Sequence, residues 1–310
     1  MSTFLVNAKM DPALAARVEA AVGGHRGRKK SVAKSRIVAL SRVAAVLVVV
    51  FAVHSIVKLW RRDREEVATA RRTLVEALRA QSEGVTDADR KAARRIETLL
   101  VDVSRSFDKD TIAPKALDRL EEPFVYVRGS IGNFANADTI AAAAATSGKD
   151  ALVACLLDPP PSRAQKDVAP KTHGIEARTS HVRRLHEMEV GLPFLAPEVL
   201  RRMEKETDLP TLLKTKRDLD RAPIDGAKRG ARARLLLAAM DEPGEGIAEL
   251  DGERKHHVRV VMVDLVTNAK LVDVRKLVDP SWITADARPM HAHAYDSCLL
   301  AFDIRAIAAR

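Results

Sequence analysis

The chain has 310 residues, of which 46% are hydrophobic and 4% aromatic, with 52 Lys and Arg against 42 Asp and Glu. That length and apolar content support a sizeable packed core and exclude a wholly disordered chain. Its two cysteines exclude a disulfide-dense scaffold and a four-thiolate metal site within one chain.

The formal net charge of +10 invites a nucleic-acid reading, but its placement argues against one. Residues 1–42 hold nine basic residues and two acids, a surplus of seven, and the rest of the chain holds a surplus of three. A nearly balanced body is not the footprint of a protein that tracks a phosphate backbone.

The first element is a short helix over residues 11–23. Asp11 stands at its N-cap, Pro12 at N1 and Gly23 past its end, and Leu14, Val18 and Val22 share one face. It suits a membrane surface or a cytoplasmic docking partner. A basic cluster follows: Arg26, Arg28, Lys29, Lys30, Lys34, Arg36 and Arg42. The run Val43–Val57 then carries no formal charge with His54 neutral. Lys58 can snorkel, which extends the run through Leu59 to Trp60, an interfacial aromatic. Eighteen helical residues rise roughly 27 Å, close to a bilayer core of about 30 Å. Ile37–Leu40 adds apolar length on the other side, so a transmembrane helix is expected over 37–60. The long basic region before it and the absence of a small-x-small site after it point to an uncleaved anchor rather than a signal peptide.

Orientation rests on a narrow margin. Residues 26–42 hold seven Lys and Arg, and residues 58–74 hold six. An outward N-terminus would carry nine positive charges across the membrane, whereas a long domain crosses largely regardless of charge. The expected topology is therefore N-terminus cytoplasmic and C-terminal domain extracytoplasmic, in an inner (plasma) membrane of bacterial type.

Residues 61–109 read as a helical stalk or helical hairpin. The first helix, with Val67, Leu74 and Leu78, ends near Gly84 and offers a face for self-association. Thr86 caps a second helix, with Asp87 and Asp89 in its first turn. Ile96, Leu99, Leu100, Val103 and Phe107 form its apolar stripe.

The globular domain is expected over 110–310. Phe124–Arg128 reads as a strand, Asn136–Thr146 as an Ala-rich helix stopped at Gly148, and Ala151–Leu157 as a second strand. Together they have the length of a βαβ unit with parallel strands. Pro159–Pro161 end it, and 162–178 reads as loop. Residues 180–220 read as helical, with Ser180 and Pro197 as openings. Arg232–Met240 reads two ways: its alanines favour helix, while its continuous apolar run and the stop at Asp241–Gly244 favour a buried strand, which is the expectation taken. His257–Val266 and Lys270–Val278 make the strongest hairpin signal, with a turn at 267–269. The second arm alternates Val272, Val274, Lys276 and Val278, a face read as apolar through its valines, with Leu271, Asp273, Arg275 and Leu277 on a more solvated one. A last helix runs from about Ala285 to Ala308. The fold class is α/β, α+β-like: a mixed sheet with a parallel pair, an antiparallel hairpin and a C-terminal helix.

Few residues carry chemistry. Cys155 and Cys298 are a disulfide candidate, with two buried thiols as the alternative. No C-x-x-C, nucleotide-binding glycine motif or G-x-S-x-G occurs. His181, His186, Glu187 and Glu189 share a segment read as helix, but no second His stands four residues from the first, so they read as a charged surface. His256 and His257 point to opposite faces of a strand, which separates them as ligands even with His291 and His293 nearby in sequence. No metal set and no cofactor is expected. Asp158, and the adjacent Asp241 and Glu242, fall at strand ends where α/β sites form, and are the candidate acid/base residues.

The reading that follows is a membrane-anchored envelope protein whose α/β domain binds or scaffolds. Its partners are the bilayer and either an envelope protein or a second copy through the stalk. The alternatives are a tethered enzyme using the strand-end carboxylates and a cytoplasm-facing domain whose basic flanks grip anionic lipid.

Overall fold

The long apolar-then-charged segment forms one helix, α1, over Lys30–Ser82. In this computed structural model residues 30–147, 151–162, 181–243, 254–279, 281 and 288–309 are described, with backbone only for 30–45 and 288–296. The short helix at 11–23, Arg26, Arg28, Lys29, Gly148, the loop 163–178 and Ser180 lie outside the described residues. Lys30, Lys34, Arg36 and Arg42 lie on the helical backbone of α1.

The chain divides into two compact units, Met1–Ala68 and Thr69–Arg310. In the first, the side chains from Val46 to Trp60 are largely open to their surroundings: Leu47 is 63% exposed, Phe51 73% and Ile56 64%. Arg64 stacks over the Trp60 ring, 3.5 Å from its centre. Among the described residues no single helix is long and apolar enough to cross a membrane.

The second unit opens with the end of α1, where Leu74 and Leu78 are buried. Helix α2 (Asp87–Ser104) starts at a capping box: Asp89 N–H donates to Thr86 Oγ1 and Thr86 N–H to Asp89 Oδ2. Its stripe buries Ala93, Ile96, Leu100 and Val103. The sequence placed the start of the globular domain near residue 110; the unit takes in α2 as well, from Thr69 onward.

The remaining elements are β1 (Thr111–Ile112), β2 (Phe124–Ser130), α3 (Ala137–Thr146), α4 (Ala151–Leu157), β3 (Val182–Arg184), α5 (Leu185–Gly191), α6 (Pro197–Lys205), α7 (Leu209–Arg221), α8 (Ile224–Ala231), β4 (Leu235–Glu242), β5 (His256–Asp264), β6 (Lys270–Val278) and α9 (Arg288–Ala308). Six strands form one mixed sheet in the order β1-β6-β5-β4-β2-β3. β2 pairs in parallel with β3 and β4, while β4, β5 and β6 form an antiparallel meander closed by β1. The expected mixed α/β sheet is present.

One element is corrected. Ala151–Leu157, expected as the second strand of a βαβ unit, is the helix α4. Six of its seven residues are buried, so the run carries no period to separate helix from strand, and its Ala and Leu content favours helix. The parallel partners of β2 come from later in the chain. Val182–Arg184 is likewise a short strand within a segment expected to be helical.

The central strands are buried on both sides. One face of the sheet, with Phe124, Tyr126, Leu237, Val260 and Val274, packs under α4 and α9 in the main core. The α5–α8 contact is unusually close: a methyl at Gly191 would stand 2.6 Å from the Ala227 Cβ. Glycine there lets the two backbones approach, which fixes the position of α5.

The hairpin forms as expected, with its turn at 265–269. Asp264 Oδ1 accepts from the N–H groups of Val266 and Thr267, and Asn268 takes a left-handed conformation with φ 59°. Those backbone donors, with Arg119 at 2.7 Å, bring the Asp264 pKa down to about 2. On β6 the Val face is buried, as the alternation predicted. Asp273 breaks the pattern on the opposite face: it is only 4% exposed, because Arg259 on β5 meets it.

Candidate functional site

The three carboxylates singled out from the sequence do not form one site. Asp158 follows the last turn of α4 and is exposed; its N–H donates to Ala154 O. It stands at a helix end, not a strand end. Asp241 and Glu242 are consecutive on β4 and therefore point to opposite faces.

Asp241 is buried against Arg128 of β2, its parallel neighbour. Arg128 Nε and Nη2 donate to the two Asp241 oxygens at 3.0 and 2.8 Å. Arg128 Nη1 donates to Ser297 of α9 at 2.7 Å, and the Arg128 N–H to Ser147 Oγ. His256 on β5 completes the group. Its Nδ1 lies 2.7 Å from Arg254 O, an acceptor only, so that nitrogen carries a proton. Its Nε2 stands 3.6 Å from Asp241 Oδ1, an ion-pair distance beyond hydrogen-bond reach. Burial pushes the Asp241 carboxyl up, but Arg128 and His256 outweigh it and hold the group below the usual carboxylate range. Burial likewise pulls His256 down, and Asp241 with the Arg254 carbonyl raises it above the ordinary histidine value. The cluster ties the parallel strands to the terminal helix. A carboxylate so neutralised is a poor general base.

Glu242 meets Arg275 on β6, with Nε donating at 2.7 Å. On the same side of the sheet Arg259, 1% exposed, donates from Nε and Nη2 to the Asp273 oxygens at 2.7 and 2.8 Å and to Ser106 O at 2.6 Å. These arginine–carboxylate pairs clamp strands and do not leave a reactive group facing a cavity.

Cys155 on α4 and Cys298 on α9 are joined in a disulfide, with Cα atoms 5.2 Å apart. Among the described residues no three metal-ligating side chains gather.

The carboxylates whose pKa is raised lie elsewhere. A cleft of about 1070 Å³ runs between α2, α3 and α5, with the segment 192–198 on one side. The capping box sets the start of α2, and Asn136 caps α3 by accepting from the Thr139 N–H. Arg90 on α2 donates to Leu195 O at 2.8 Å, which holds the 192–195 turn against the helix. Met188, Leu192, Ala93 and Ala141 give the cleft an apolar lining. Glu189 enters it from α5. Its Oε1 is buried with no hydrogen-bond partner, and His186 Nδ1 lies 4.0 Å from Oε2. Burial pushes the Glu189 carboxyl up, and the charge of Glu97 adds to this, to about 7. Glu97 on α2 is itself raised by burial, opposed by Arg94 and reinforced by Asp138 on α3.

The sequence places Glu189 on a charged helical surface. The charge that perturbs it, Glu97, comes from α2, remote in sequence. Its i−3 partner His186 was visible, but nothing local announces the burial.

The chain matches no family model, no curated protein and no solved structure.

Proposed function

We propose that the protein is a single-pass, membrane-anchored binding module of a bacterial-type cell envelope. α1 crosses the bilayer over residues 37–60, the basic N-terminal tail sits at the cytoplasmic face and the α/β unit works outside it. The observation that carries this reading is the run from Val46 to Trp60, apolar side chains exposed around a helix with nothing among the described residues covering them. Water disfavours that surface and a hydrocarbon core welcomes it. The span draws also on Ile37–Ala45, whose side chains lie outside the described residues. Arg61, Arg62 and Arg64 then mark the exit into the headgroup region.

Two further features support the assignment. A disulfide persists in oxidising compartments, which favours an extracytoplasmic unit over a cytoplasm-facing one. The strand-end carboxylates are neutralised by arginine, which favours binding over acid/base chemistry at that edge. The partners are the bilayer and a ligand or envelope protein met by the globular unit, with self-association through the first part of α1 beyond the span.

Carbonate extraction tests the anchor. The full chain is expected to stay with the membrane pellet at alkaline pH. A Val48→Arg/Phe51→Arg variant, which places two charges in the span at about 2.5–3.5 kcal/mol each, is expected to shift to the soluble fraction. Release of the unaltered chain would remove the proposal.

A further inference from the structure

We infer that the cleft between α2, α3 and α5 binds a cation on an apolar stem, a protonated amine or a guanidinium, against Glu189 and Glu97. This rests on reading the globular unit as a binding module and is independent of its anchoring.

Size is the first argument. The cleft volume of about 1070 Å³ is that of a site for a ligand of drug size or for a few residues of peptide. Charge is the second. Five carboxylates line the cleft against three basic side chains, in a chain whose net charge is +10. One of the three, Arg90, is already engaged by Asp87 and Leu195 O. The cleft is thus an acidic concavity on a basic protein, and it favours a ligand of opposite sign.

The third argument is the state of Glu189. Its Oε1 is buried without a donor, and a buried acceptor left unmatched costs free energy in the empty site. The groups facing the pair are Arg90, Lys91 and Arg94 on α2, Asp138 on α3, His186 on α5, and Glu198 at the start of α6. Arg94 acts on Glu97, and the strongest influences on Glu189 are burial and the Glu97 charge. A ligand cation seated at the pair supplies the missing counter-charge and donor. The apolar lining from Ala93, Ala141, Met188 and Leu192 accepts its methylene stem.

Binding then depends on pH in a set direction. The cation needs Glu189 ionised, and this carboxyl is half-ionised near pH 7. Affinity should rise about tenfold from pH 6 to pH 8 as the ionised fraction grows.

The test is calorimetry on the full chain in nanodiscs of neutral lipid. The probes are cadaverine, Nα-acetyl-lysine amide and Nα-acetyl-arginine amide, with Nα-acetyl-norleucine amide as the uncharged control. Saturable binding of a charged probe but not the control is expected. A stronger response to the capped amino acids assigns a basic side chain of a polypeptide as the source; a stronger response to cadaverine assigns a free amine. Glu189→Gln, which keeps shape and removes the charge, should weaken binding about tenfold or more and flatten the pH profile. Glu97→Gln should move the midpoint of the profile to lower pH, a change that a purely structural role would not produce. The profile should persist in His186→Asn. Absence of binding, equal binding of the norleucine control, or an unchanged profile in Glu189→Gln overturns the inference. If membrane fractionation is unchanged, the anchoring proposal stands apart from that failure.

Discussion

Replacing Asp273 with alanine is expected to destabilise the globular unit by about 3–5 kcal/mol, the cost of stranding a buried charge. Arg259 is 1% exposed and gives two of its donors to Asp273, so its charge would remain in the sheet with only Ser106 O as a neutral acceptor. Lys270 also reaches Asp273 but is itself half-exposed and loses little. The effect is large against a typical total stability of about 5–15 kcal/mol. Chemical denaturation followed by circular dichroism checks it. The double variant Arg259→Met/Asp273→Leu should be far less destabilised than Asp273→Ala alone, because it removes the charge together with its partner. Additive losses in the two single variants would contradict the account.

The second large effect belongs to the disulfide. Cys155 and Cys298 are separated by 143 residues in sequence, and closing a loop of that size stabilises by about 4–5 kcal/mol in the chain-entropy model. The bond joins α4 to α9 on the sheet face that holds the main core. A Cys155→Ala/Cys298→Ala variant is expected to lose about 10 °C or more in Tm. Reduction of the unaltered protein should produce a similar loss, and the variant should be insensitive to reductant. Equal melting of oxidised and reduced protein would show that the bond constrains nothing.

The parts of this fold that were legible in the sequence are those whose local pattern agrees with the tertiary answer. The hairpin showed itself through β-branched runs around a polar turn, and α2 through its capping residues and its 3.6-residue stripe. Arg232–Met240 was open between helix and strand, and the stop at Asp241–Gly244 tipped the reading to the strand that forms over Leu235–Glu242. Ala151–Leu157 was not, because a short run buried on all sides has no period to read. The error then propagated: with that run read as the parallel mate of β2, its true parallel partners β3 and β4, the latter more than a hundred residues on, were not paired with it.

The sites divide in the same way. Asp241 and Glu242 were correctly placed on a strand, yet their partners, Arg128 on the adjacent β2 and Arg275 on β6 two strands away, decide that they are clamps. Asp273 sat on the face expected to meet solvent, and Arg259, diagonal to it on β5, explains its burial. Glu189 owes its raised pKa to burial and to Glu97, neither of which is encoded within its own helix. The surplus of basic residues is concentrated before the apolar run, where the proposed topology sets it against an anionic inner leaflet.

The central claim is that the α/β unit lies outside the cytoplasm behind a membrane helix. Protease protection on spheroplasts, with a tag at each terminus and thiol alkylation before and after reduction, tests it most directly. The account predicts a protected N-terminal tag, a digested C-terminal tag and cysteines that react only after reduction. An N-terminal tag accessible on intact cells, with a protected C-terminal unit and thiols free to react, would contradict it.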